Sequence, residues 1–138
     1  MSQRIVPFIG YEDAAAAIEW LGRAFGFTED RSARYEEDGT ITHAELSLDG
    51  ATVYVSTPAG YASPLRIRES SPLARRAYDN PWVIDGLFVE VHDVDEHCER
   101  ARTAGARILR EPDEPGIGFR VYSAEDLEGH RWMFGQPT

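Results

Sequence analysis

Pro7-Phe8-Ile9-Gly10-Tyr11-Glu12-Asp13 sets a pattern that Leu87-Phe88-Val89-Glu90-Val91-His92-Asp93 repeats later in the chain. Phe88 follows Phe8 and Asp93 follows Asp13 at one constant offset, and Gly129 follows Gly50 at an offset one residue shorter. Internal repeats of this length mark two copies of one supersecondary unit. Two like halves predict a pseudo-twofold sheet with a cleft between them.

Working outward from Asp13, Ala14, Ala17, Ile18, Leu21, Ala24 and Phe25 recur at spacings of three and four, the stripe of a helix with one buried face. Asp13 opens that helix and Gly26 ends it. Residues 27–36 read as a second strand, and Asp38-Gly39 is a favoured hairpin dipeptide. From Ile41 to Leu48 the chain alternates, with Ala44, Leu46 and Leu48 on one face and His43, Glu45 and Ser47 on the other. Asp49-Gly50 turns it into residues 52–56, where Val53 and Val55 oppose Tyr54.

In the second copy Leu87, Val89 and Val91 alternate with Phe88 and Glu90. Asp93 caps a helix with Glu96 in capping-box position, Val94, Cys98 and Ala101 form its buried stripe, and Gly105 ends it. Strands follow at 107–111, 119–123 and 130–134. Residues 57–82 carry Pro58, Gly60, Pro64, Pro72 and Pro81 and no sustained strand period, so they read as a connector with a short helical turn near Leu73–Tyr78. Its aromatics are Tyr61, Tyr78 and Trp82.

The length of 138 residues fits a single domain. All 14 basic residues are arginine, which excludes Schiff-base lysine chemistry and a Walker phosphate loop. A net charge of −10 argues against nucleic acid and anionic membrane as partners. No apolar run approaches the ~20 residues of a membrane span. The start of the chain lacks the apolar stretch of a signal peptide, and the single Cys98 permits no internal disulfide; a cytoplasmic setting is the expectation. Cys98 itself reads as core filler.

The residues Pro7-Phe8-Ile9, Ala17-Ile18-Glu19-Trp20-Leu21, Ala24-Phe25-Gly26, His43-Ala44-Glu45-Leu46, Val91-His92-Asp93-Val94-Asp95 and Ala104-Gly105-Ala106 lead up to Asp126-Leu127-Glu128-Gly129-His130-Arg131-Trp132-Met133-Phe134-Gly135. Together they resemble the vicinal oxygen chelate superfamily of glyoxalases, bleomycin-resistance proteins and extradiol dioxygenases. Leu127 stands where the family's last motif has proline. The resemblance implies an α+β fold of two tandem βαβββ modules (about 4–57 and 85–136, joined by a connector at about 58–84), forming a curved mixed sheet with helices on the outer face and a central cleft. It also implies a homodimer whose chains complete each other's clefts.

Metal-dependent members take one ligand from the first and last strand of each repeat. Those positions fall near Val6, Tyr54, Gly86 and Met133, a poor donor set for a divalent ion. The expectation is therefore no cofactor, with a divalent metal at His43 and Glu45 as the alternative. Cleft-facing residues by alternation are Phe8, His43, Glu45, Tyr54, Phe88, Glu90, Arg131 and Met133, with Trp82 reaching in from the connector. Phe8, Tyr54, Trp82, Phe88, Glu90, Arg131 and Met133 form the expected binding set for a small-molecule ligand of cationic or aromatic character. The alternative is a metal-dependent lyase, isomerase or dioxygenase with His43 or Glu45 as base or ligand, Glu90 as ligand or acid/base, and Arg131 holding an anionic group. His92 and His97 read as solvated surface, and His130 as a residue that fixes its hairpin.

Overall fold

The computed structural model describes residues 3–80 and 85–138. The first half runs β1 (Phe8–Gly10), α1 (Ala14–Phe25), β2 (Thr28–Glu29), β3 (Tyr35–Glu37), β4 (Thr40–Leu48) and β5 (Ala51–Ser56). Two short helices follow, α2 (Pro64–Ser70) and α3 (Pro72–Asp79). The second half runs β6 (Leu87–Glu90), α4 (Val94–Thr103), β7 (Arg107–Asp113), β8 (Phe119–Glu125) and β9 (Arg131–Pro137). The sheets have the orders β1-β5-β4-β2, with β3 also on β4, and β6-β9-β8-β7. These are the same topology, an α+β fold of two βαβββ modules.

The registers repeat as well. β1 lies parallel to β5 with Phe8 opposite Tyr54, and β6 lies parallel to β9 with Phe88 opposite Met133. Each first strand is parallel to its neighbour because a helical crossover returns the chain to the same end of the sheet. Asp13 and Asp93 start the two crossover helices by accepting from the backbone N–H groups of Ala16 and Glu96. Gly26 ends α1 at φ 88°, a left-handed conformation that favours glycine.

The helix-facing sides of both sheets share one core. Phe25 at the end of α1 lies with its ring centroid 4.7 Å from that of Phe134 and 5.4 Å from that of Trp132, both on β9 of the other module. Trp20 Nε1–H donates to the Ala104 carbonyl at 2.8 Å, and Arg100 on α4 donates to the Gly22 and Arg23 carbonyls. The last carbonyls of α1 are thus capped from the opposite module. Cys98 is buried in this core as expected, and burial pushes its thiol up to about 11.

Three expectations need correction. The strand expected over 27–36 is broken: the Asp30 side chain accepts from Ser32 N–H and Oγ–H, and the Asx-type bonds wind Arg31–Ala33 into a 3-10 turn. The connector contains two helices in place of one turn, because Ser63 and Ser71 each cap a helix whose first residue is proline. His97 is not surface. Its Nε2–H donates to the Phe25 carbonyl at 2.8 Å, and its Nδ1 accepts from Tyr122 Oη at 2.6 Å. The α4 phase that exposes it to solvent in isolation turns it toward the end of α1.

Burial lowers the His97 imidazole below its ordinary 6.5. The unfolded chain therefore takes up this proton at a higher pH than the folded chain does. The resulting stability is complete above about pH 6.5 and is lost as pH falls toward the folded-state value. Denaturant midpoints measured from about pH 7.5 to about pH 5 will show this decline, and His97→Gln will remove that part of the slope. An unchanged slope in the variant would place the proton uptake elsewhere.

Candidate functional site

Alternation along the first sheet sends Ile9, Ala44, Leu46, Val53 and Val55 into the core. Phe8, His43, Glu45 and Tyr54 take the opposite face. Phe8 is 75% exposed and meets the Tyr54 ring edge-on at 5.3 Å. Tyr54 in turn meets His43 at 4.8 Å, and Tyr35 on β3 lies 6.1 Å beyond it. Four rings therefore cross the face from β1 to β3. Glu45, the cross-strand partner of Tyr54, accepts from His43 at 2.9 Å; because a carboxylate only accepts, the proton sits on His43 Nε2.

Tyr35 is absent from the sequence-derived set. A regular Asp38-Gly39 hairpin would pair it with Thr42, but a register shift between Tyr35 and Glu36 places it opposite His43. Such a bulge re-aims one side chain and leaves no clear composition signal.

The second sheet carries Phe88 and Met133 at the equivalent positions. Phe88 is 46% exposed, and its ring folds over Gly135 to meet Phe119 edge-on at 5.1 Å. A side chain at 135 would collide with that ring. Glu90 is exposed opposite Gly135. Trp82 lies outside the described residues.

Arg131 shares the Met133 face, yet it is only 6% exposed. It donates to Glu125 at 3.2 Å and to the carbonyls of Tyr78 and Asn80. Arg68 on α2 reaches the same Glu125 at 2.8 Å, and Arg107 approaches it at 3.4 Å. The guanidinium carbons of Arg68 and Arg131 lie 5.1 and 5.6 Å from the centre of the Tyr78 ring. The connector helices thus cover one end of this face. Register places Ser47 and Thr52, a cross-strand pair, at the corresponding positions of the first sheet.

The hairpin between β8 and β9 ties the modules together. Asp126 is buried; its Oδ1 accepts from the N–H groups of Glu128 and His130, and its Oδ2 accepts from Tyr11 Oη at 2.6 Å and Trp132 Nε1 at 3.1 Å. The Glu128 carboxylate accepts from Glu12 N–H and Asp13 N–H at the start of α1. His130 Nε2–H donates to the Gly10 carbonyl at 2.7 Å and lies 3.2 Å from Tyr61 Oη. His130 therefore fixes more than its own hairpin. Burial pushes the Tyr61 phenol up to about 12, so it stays protonated.

The strands β1 and β6 flank a seam that opens at both ends. One crevice of ≈ 320 Å³ lies between Pro7–Gly10 and Leu87, with Tyr61, His130 and Arg131 on its wall. Another of ≈ 340 Å³ lies between residues 4–7 and Phe88.

Nothing in this arrangement fits the family's metal. Val6 and Gly86 offer no side-chain donor, Met133 offers only a weak thioether, and the Tyr54 phenol is an uncommon ligand for a divalent ion. Among the described residues no three His, Cys, Asp or Glu side chains converge as a ligand group. His43 and Glu45 bond to each other.

A sequence profile of the Glyoxalase/Bleomycin resistance protein/Dioxygenase superfamily matches residues 4–134. The crystal structure of TioX from Micromonospora sp. ML1 is similar, at 32% identity and a TM-score of 0.71 over 99% of this chain and 97% of that one. The structure of TnmS3, an antibiotic binding protein from Streptomyces sp. CB03234, shares the fold at 18% identity and a TM-score of 0.65, over 100% of this chain and 99% of that one. An uncharacterised protein of Mycobacterium bovis (strain ATCC BAA-935 / AF2122/97) is 28% identical over 136 residues, 96% of this chain and 82% of its own.

Proposed function

Because this chain belongs to the glyoxalase/bleomycin resistance protein/dioxygenase superfamily, we propose that it binds a flat aromatic small molecule on the open face of its first module. The observation that carries this reading is the row Phe8, Tyr54, His43 and Tyr35, in edge-to-face and tilted contact, with Phe8 and Tyr35 exposed and Tyr54 and His43 half-buried. Offset and edge-to-face contacts hold aromatic ligands well, and covering one exposed Phe is worth about 1.5–3 kcal/mol. Glu45 beside the row adds an acceptor for a cationic or hydrogen-donating substituent. TnmS3 is described as antibiotic binding, which supports the same class of ligand for this chain.

The test is fluorescence titration of planar aromatic antibiotics, with and without a basic substituent, against the wild type and Tyr54→Ala. The variant should bind the best compound about 10–100-fold more weakly. Equal affinity in both proteins would end this reading.

Exposed Ile5 and Phe88 also support a homodimer. Light scattering that finds only the 15.5 kDa species at micromolar concentration would exclude it. The His43–Glu45 couple supports a second reading, an enzyme of the glyoxalase-like class with His43 as base. Full retention of ligand turnover in His43→Ala would count against that role.

A further inference from the structure

We propose that the covered end of the second module's open face holds an oxyanion, a carboxylate or phosphoryl group of the ligand, on Arg68. This deepens the small-molecule reading by assigning the ligand an acidic end.

The argument starts from charge. Among the described residues Arg68, Arg107 and Arg131 all pair with the carboxylate of Glu125, in a chain whose net charge is −10. The Arg107 side chain is half exposed, so water screens it. Arg68 is different: its side chain is 15% exposed, and its Nε is buried without a hydrogen-bond partner among the described residues. A buried charged donor left unmatched is costly, and a guanidinium offers its donors in a fork that fits an oxyanion. Asp85 lines the neighbouring ≈ 160 Å³ cavity with Tyr78 and Arg131 but forms no ion pair with Arg68 among the described residues.

The position is also built. Arg66 pairs with Glu12 at 2.6 Å, and Leu65 N–H donates to the Glu128 carbonyl at 3.1 Å, so the first turn of α2, just before Arg68, is anchored to the first module and to the β8–β9 hairpin. The Tyr78 ring lies against both guanidiniums. The fold itself does not demand this cluster, because the first module does without it and carries Ser47 and Thr52 at the same register.

Sodium phosphate, sodium acetate and sodium chloride at matched ionic strength provide the test, read as thermal midpoints and by calorimetric titration. Wild-type protein should gain about 2–5 °C from phosphate or acetate over chloride. The larger gain identifies the preferred group as phosphoryl or carboxylate. Glu125→Gln removes the internal counter-charge and should bind the same anion about 10-fold more tightly. Arg68→Gln should lose the preference over chloride. If that variant does not fold, Arg68→Lys, which keeps the charge without the fork, should show less than about half of the wild-type gain.

A wild-type response retained in Arg68→Gln or Arg68→Lys would overturn the proposal. So would the absence of any preference over chloride in both wild type and Glu125→Gln. The probes contain no aromatic group, so a failed antibiotic panel and a failed anion test remain separate results.

Discussion

Asp126→Ala will lower the unfolding free energy by about 3–5 kcal/mol, measured by urea denaturation at pH 7. The carboxylate accepts four hydrogen bonds, two on each oxygen, and every donor is at or near the buried seam between modules. Removing it leaves Tyr11 Oη–H, Trp132 Nε1–H and two backbone N–H groups without their acceptor. Water cannot replace it easily, because Tyr11 and Trp132 are fully buried. Asp126→Asn should fall between wild type and Ala, by about 1–3 kcal/mol. Its Oδ1 can still serve Glu128 and His130, and the Tyr11 hydroxyl can turn to accept. The indole N–H can only donate, so it would face an amide N–H₂. A loss below about 1 kcal/mol in Asp126→Ala would show that the node is not a structural tie.

Phe25→Ala is expected to cost about 3–5 kcal/mol in the same assay. The ring is buried among Trp20, His97, Trp132 and Phe134, with centroids at 5.1, 6.0, 5.4 and 4.7 Å. It comes from the first module, and three of those four neighbours come from the second. The cavity left behind would lie where the two halves share their core, and fixed helix caps on both sides limit its collapse. Wild type should unfold in one transition, since the described residues of both sheets contribute to one buried cluster. Two resolved transitions in wild type, or a loss under about 1.5 kcal/mol in the variant, would contradict a shared core.

Both residues were visible in the sequence, and both had roles that spacing alone understates. Phe25 sits on the stripe of α1, so its burial follows from helical period. Nothing in that period says that it packs on β9 of the other repeat. Asp126 and His130 belong to a motif whose hairpin is legible from Glu128-Gly129. Their reach to Tyr11 and Gly10, more than a hundred residues earlier, is not.

The first-sheet face was legible because strand alternation has a strict period of two. Phe8, Tyr54, His43 and Glu45 follow from it, and the structure gathers them on one face. Tyr35 escaped because a bulge changed the register by one. Arg131 was placed on the correct face, but the connector above it was read as irregular. The pairs Ser63-Pro64 and Ser71-Pro72 carry a helix-start signal. Reading them as helices would still not have brought Arg68 to Glu125.

What the sequence alone determined is local and periodic: the repeat, the helix stripes with their Asp caps and glycine ends, the Asp-Gly turns, and the two faces of each strand. Those properties depend on neighbours within a few residues, where φ and ψ preferences and side-chain period suffice. Only the tertiary structure decided that the two modules share one core through Phe25, that His97 lies inside it, and that three arginines meet one buried carboxylate under α2. Each depends on contacts between distant segments, where helix docking and the path of the connector select one arrangement among many with the same local pattern.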